Sequence, residues 1–154
     1  MLIGKSVLVV DDEAGIRKLA VRALVAARAQ PYEAENGDQA IETLERVPID
    51  LVLIDIIMPG KQGIDTIRAI KPRWPNLKLI AMSGGGYLGS DELLRLADSV
   101  GADMTMNKPL SFKDLAASMA LLLNRKPSVL DFNQSPASRG LLDEIWSGGS
   151  KYGT

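Results

Sequence analysis

The segment Leu51-Val-Leu-Ile-Asp-Ile-Ile-Met-Pro-Gly60 constrains this chain more than any other. Its Val, Leu and Ile run lacks polar alternation, the pattern of a strand covered on both faces at the centre of a parallel sheet. One carboxylate, Asp55, interrupts the run just before a Met-Pro-Gly turn. Burying an ion without partners is heavily penalised, so a carboxylate there needs partners and a purpose. Open α/β sheets bind ligands at the carboxyl ends of their strands, and Asp55 falls at such an end.

The remaining segments supply the sheet. Ser6 to Val10 reads as a buried strand that runs into Asp11, Asp12 and Glu13. Ile16, Leu19, Ala20, Ala23, Leu24 and Ala27 then recur at helical spacing. Tyr32 to Glu35 predicts a short second strand. Asn36-Gly37 then leads into a helix with Ala40, Ile41, Leu44 and Val47 on one face, stopped by Pro48. Beyond the Asp55 strand a helix starting near Gly63 places Ile64, Ile67 and Ile70 inward, and Pro72 and Pro75 close that unit. Leu77 to Met82 predicts a fourth strand ending at Ser83 and the run Gly84-Gly85-Gly86. From about Asp91 a helix buries Leu93, Leu96, Ala97 and Val100, with Gly101 as its C-cap. Asp103 to Met106 predicts a fifth strand before Asn107-Lys108-Pro109, and Ser111 caps a helix carrying Phe112, Leu115, Ala116, Met119 and Leu122. Strand and helix in strict alternation predict an α/β fold: one parallel sheet, helices on both faces, right-handed crossovers.

Residues 1–124 form the predicted domain, since 154 residues at 46% hydrophobic can bury one sizeable core. Residues 125–154 are rich in Ser, Gly and Pro and read as a tail. Within it Leu141, Leu142, Ile145 and Trp146 line one side of a short helix near 138–146, which would need a surface to dock on. A net charge of −1 gives no electrostatic case for direct contact with nucleic acid. No apolar run approaches a membrane span, the start lacks a signal-peptide core, and cysteine is absent, so the expected location is cytoplasmic. Histidine is absent too, so any chemistry must run on carboxylates, hydroxyls, lysine or a bound metal.

A parallel sheet brings its strand ends to one edge, so Asp11, Asp12, Asp55, Ser83 and Lys108 converge although they are far apart in sequence. Two carboxylates about 4 Å apart repel by roughly 4 kcal/mol at an effective dielectric of about 20, and three together call for a counter-charge. A hard divalent cation supplies it, and Mg²⁺ suits an all-oxygen site that keeps several waters. The set is laid out for phosphoryl transfer to a carboxylate. Asp55 attacks phosphorus, the cation and Lys108 offset charge on the transferring oxygens, and Ser83 hydrogen-bonds one of them. The glycines after Ser83 leave that loop free to move. Taken singly, each residue has a duller reading: Asp11 or Asp12 as an N-cap, Asp55 or Ser83 as a turn former, Lys108 as a surface charge. Convergence at one edge favours a shared site.

These motifs resemble those of the receiver domain of two-component response regulators. That family's acidic pair after the first strand is matched by Asp11 and Asp12, and its phosphoacceptor with a following Met-Pro-Gly by Asp55, Met58, Pro59 and Gly60. Its Ser/Thr at the end of the fourth strand is matched by Ser83, and its Lys-Pro after the fifth by Lys108-Pro109. The likeness runs over roughly residues 4–124. It implies a flavodoxin-like, doubly wound five-stranded parallel sheet of order 2-1-3-4-5 with five helices, and a cis bond between Lys108 and Pro109. It also implies that Asp12, Asp55 and the backbone carbonyl of Ile57 ligate Mg²⁺, with Asp11 acting through water. Two positions depart from the pattern. Thr105 stands where members that swing an aromatic side chain carry Tyr or Phe, and Gly85 stands where a larger or polar residue is common. The route of the signal is expected to differ accordingly, running through the Gly84–Gly86 loop.

The implied function is a stand-alone switch and not an enzyme. It accepts a phosphoryl group on Asp55 from a histidine kinase or histidine phosphotransfer protein in a Mg-dependent reaction, then changes its affinity for a downstream protein; homodimerisation stays open. Three alternatives compete. A degenerate receiver would serve only as a protein-interaction scaffold. A phosphatase of the haloacid-dehalogenase type needs a second aspartate where this chain has Ile57. A flavin carrier needs hydroxyls and free N–H groups where this chain has an acidic corner.

Overall fold

Strand periodicity divides the core into two layers, because successive side chains on a strand point to opposite faces. The structure, a computed structural model, describes residues 1–58, 63–84, 90–108 and 111–124. Along the chain lie β1 (Ser6–Val10), α1 (Ala14–Ala26), β2 (Gln30–Ala34), α2 (Gly37–Arg46) and β3 (Leu51–Asp55). They are followed by α3 (Gly63–Arg73), β4 (Lys78–Gly84), α4 (Ser90–Ser99), β5 (Met104–Lys108) and α5 (Phe112–Asn124). The strands are parallel, in the expected order β2-β1-β3-β4-β5. Leu8, Val10, Val52 and Ile54 pack with Ala40 and Leu44 of α2, Ile64, Ile67 and Ile70 of α3 and Ala97 of α4. Val7, Val9, Leu51 and Leu53 face the other way, onto Leu24 of α1 and Leu115, Met119 and Leu122 of α5. The whole of β3 is buried, as its unbroken apolar run requires.

Helix ends follow local chemistry. Asn36 caps α2, its Oδ1 accepting the Gln39 N–H at 2.9 Å, and Ser111 Oγ accepts the Asp114 N–H at 3.4 Å at the start of α5. Gly101, at φ +117°, takes the left-handed turn after α4.

Several expectations need correction. β2 starts at Gln30 and not at Tyr32, because parallel pairing with β1 begins at Ser6 opposite Gln30. Pro72 lies inside α3 instead of ending it; the Trp74 N–H still reaches the Ile70 carbonyl at 2.9 Å, so the last turn survives the lost bond. Leu19 and Leu96 are exposed; Ala20 and Leu24 form the inward stripe of α1, and Ala97 turns inward on α4. β4 continues through Ser83 and Gly84, and β5 through Lys108, because Ser83 pairs with Asn107 and Gly84 with Lys108. Pro59 and Gly60 of the turn, the Gly85-Gly86 segment, the Lys108–Pro109 bond, the side chains of Leu93 and Phe112, and the 125–154 tail with its short helix lie outside the described residues.

Candidate functional site

Register builds the site. Val10 pairs with Ile54, so Asp11 and Asp55 follow side by side at the ends of adjacent strands. Asp55 pairs in turn with Met82, the residue before Ser83, and Lys108 pairs with Gly84, the residue after it. Carboxylate oxygens of Asp11, Asp12 and Asp55 lie within 4.8 Å of one another. Asp11 is 0% and Asp55 4% exposed, whereas Asp12 faces solvent. The Lys108 ammonium bridges the two buried carboxylates, donating to Asp11 Oδ2 at 2.7 Å and to Asp55 Oδ2 at 3.1 Å. Their other oxygens take backbone donors: Asp11 Oδ1 accepts the Glu13 N–H at 2.9 Å, and Asp55 Oδ1 accepts the Ile57 N–H at 3.0 Å. Both aspartates therefore do make the turn contact that such residues favour, with one oxygen each. Neither Asp11 nor Asp12 caps α1, whose N-cap is Glu13 and has no side-chain cap bond.

Burial, the largest cause, and the charge of Asp11 raise the Asp55 pKa from its ordinary value, against the opposing pull of the Ile57 N–H and Lys108. Burial works against the charge on Lys108, but its bond to Asp11 and the nearby charges of Asp55 and Asp11 outweigh it and hold its pKa above the usual lysine value. Ser83 is 0% exposed, and among the described residues its Oγ has no hydrogen-bond partner. An unpaired buried hydroxyl costs about 1–3 kcal/mol, so this oxygen is set for a partner that the fold does not supply.

Three close carboxylates against one ammonium leave excess negative charge in an all-oxygen cluster, one member of which is open to solvent. That donor set fits a hard divalent cation such as Mg²⁺. Gly63 crowds the site from behind: a Cβ there would sit on the Asp55 carbonyl oxygen and 2.5 Å from Ile56 Cα. Thr105, half-buried, is in mid-β5 opposite Ala81. Sequence reasoning missed Arg17, whose guanidinium donates to the Asp11 carbonyl at 2.8 Å. The available signal was an arginine on the first turn of the helix that leaves the acidic corner.

The family model for the response regulator receiver domain matches residues 7–120. The phosphate regulon transcriptional regulatory protein PhoB of Pseudomonas aeruginosa is 34% identical over 126 residues, covering 80% of this chain and 54% of that protein. Sporulation initiation phosphotransferase F of Bacillus subtilis is 29% identical over 114 residues, covering 74% of this chain and 90% of that protein. A response regulator receiver domain protein from Clostridium thermocellum superposes with a TM-score of 0.71 at 28% identity, over 79% of this chain and 95% of that one. The chain spans about half the length of several curated relatives that it matches.

Proposed function

Because the chain belongs to the response regulator receiver domain family, we propose that it is a phosphoryl-accepting switch whose Asp55 takes its phosphoryl group from the phosphohistidine of a histidine kinase or phosphotransfer protein. The observation that carries this reading is a buried, lysine-bonded carboxylate beside two more carboxylates and an orphaned buried hydroxyl. A carboxylate oxygen of Asp55 attacks phosphorus. The phosphorus–oxygen bond forms as the phosphorus–nitrogen bond breaks, and the departing imidazole keeps the electron pair. Lys108, already on Asp55 Oδ2, is placed to follow the charge onto the transferring oxygens. Ser83 Oγ, without a partner in the fold, donates to one of those oxygens. Asp12, Asp55 and the Ile57 carbonyl would hold Mg²⁺ directly and Asp11 through water. When bound, the ion neutralises charge on the phosphoryl oxygens.

The phosphorylated form changes its affinity for a downstream protein. With Thr105 in place of a swinging aromatic, the segment after Ser83 carries the change. Among the described residues no helix is long and apolar enough to cross a membrane, and the proposed location is the cytoplasm.

Intact-mass analysis after incubation with acetyl phosphate tests the reading. One phosphoryl group is expected on the wild type with Mg²⁺, and none without metal or on Asp55→Asn. Full labelling of Asp55→Asn would refute it, and a scaffold would take no label and bind no metal. Sustained hydrolysis of a chromogenic phosphate ester would favour the phosphatase alternative.

A further inference from the structure

Phosphoryl transfer as described leaves one well-placed residue without a role. Arg17 lies on the first turn of α1, and its side chain is only 11% exposed. Nη1 donates to the carbonyl oxygen of Asp11 at 2.8 Å and to that of Asp12 at 3.4 Å. Those carbonyls belong to the peptide units on either side of the Asp12 Cα. An arginine bonded to both restrains the two backbone torsions that decide where the Asp12 carboxylate points.

The need for such a restraint is visible in the corner itself. The N-cap of α1, Glu13, makes no side-chain cap bond, so the helix N-terminus lacks that restraint. Asp11 is held by Lys108 and by the Glu13 N–H, whereas the Asp12 carboxylate is exposed. A guanidinium beside an acidic cluster would ordinarily neutralise it and compete with a divalent cation. Here the outer edge of Arg17 is occupied instead: Nε bonds Glu33 Oε1 at 3.3 Å, and Nη2 meets Glu35 Oε1 at 3.5 Å. The arginine's charge is thus matched by two carboxylates at the end of β2, and its inner edge is spent on neutral carbonyl oxygens. The fork ties the acidic corner to the neighbouring strand and leaves the carboxylates of the cluster to a metal.

We propose that Arg17 is a positioning residue for the Mg²⁺ site, fixing the Asp12 backbone and held in turn by Glu33 and Glu35. The inference rests on the reading of the acidic cluster as a Mg²⁺ site, and the test separates the two. Isothermal titration of the full chain with Mg²⁺ is run on the wild type, Arg17→Ala, Arg17→Lys and the core control Ile70→Val, with melting temperatures measured in parallel. Lysine keeps the charge and the stem, so Arg17→Lys retains the fold, but a single ammonium cannot reproduce the fork. Loss of an outer-shell partner typically weakens metal binding about 10- to 100-fold, and a loss in that range is expected for Arg17→Ala, with at least several-fold for Arg17→Lys. Ile70→Val is expected to lower the melting temperature and leave the dissociation constant within about twofold, the pattern of a purely structural change. Wild-type affinity in both Arg17 variants would overturn the inference while leaving the Mg²⁺ reading intact. So would an equal loss of affinity in Ile70→Val, which would mean that general loosening is enough. A wild type that binds no Mg²⁺ would overturn both.

Discussion

Gly63→Ala is the most demanding single-atom test of how the site is built. The first residue of α3 packs directly behind the peptide that follows Asp55. An added Cβ would land on the Asp55 carbonyl oxygen, 2.5 Å from Ile56 Cα and 2.9 Å from the Asp55 carbonyl carbon. All three obstacles are backbone, so no side-chain rotation relieves them, and either the α3 N-terminus or the end of β3 must shift. Overpacking of this kind costs about 1–3 kcal/mol, offset by at most about 1 kcal/mol because alanine favours a helix over glycine. Taken at the middle of that range, about 2 kcal/mol, the overpacking leaves a net loss of about 1–2 kcal/mol, which corresponds to a fall in Tm of roughly 4–8 °C for a domain of this size. Yielding at the end of β3 moves the Asp55 carboxylate relative to Lys108, and displacements of about 1 Å can cost roughly 100-fold in rate. The assay pairs thermal melts with the initial rate of labelling by acetyl phosphate at saturating Mg²⁺, followed by intact mass. A Tm at or above wild type with an unchanged rate would refute the close-approach argument.

Two further outcomes follow from the electrostatics and from the orphaned hydroxyl. Burial and Asp11 raise the Asp55 pKa, so the folded protein holds that proton to higher pH than the unfolded chain does. Asp55 therefore lowers metal-free stability progressively as pH rises from the ordinary carboxylate value through the raised one. Urea midpoints without metal should show Asp55→Asn gaining on the wild type across that window, and a difference that is flat or shrinks with pH contradicts the assignment. Ser83→Ala removes a buried hydroxyl that has no partner. Its Tm should equal or exceed that of the wild type while labelling slows by about 10-fold or more; a clear drop in Tm would mean that Oγ is bonded within the fold.

What was legible in the sequence follows from which contacts depend on topology alone. β3 announced itself because burial on both faces removes polar alternation, and Asp55 stood out against that background. Once strict strand–helix alternation implied a parallel sheet, the meeting of Asp11, Asp12, Asp55 and Lys108 at one edge followed without any side-chain detail. The strand ends were harder to place. Ser83, Gly84, Asn107 and Lys108 are weak strand formers, and they are strand only because they pair with one another across β4 and β5. Leu19 and Leu96 fit the helical period yet sit at the margin of the buried stripe, where a rotation of a few tens of degrees decides exposure. Arg17 escaped notice because its partners Glu33 and Glu35 come from the end of β2 and the residue just after it, and the register between β1 and β2 had to be known first.

The central claim is that one carboxylate, Asp55, takes the phosphoryl group in a metal-dependent reaction. Borohydride reduces an aspartyl phosphate to homoserine, so peptide mass spectrometry after labelling and reduction identifies the phosphorylated residue itself. Homoserine is expected at position 55 alone, and only when Mg²⁺ was present during labelling. Homoserine at position 11 or 12, a phosphate ester on Ser83, or equal modification of Asp55 without metal would contradict it.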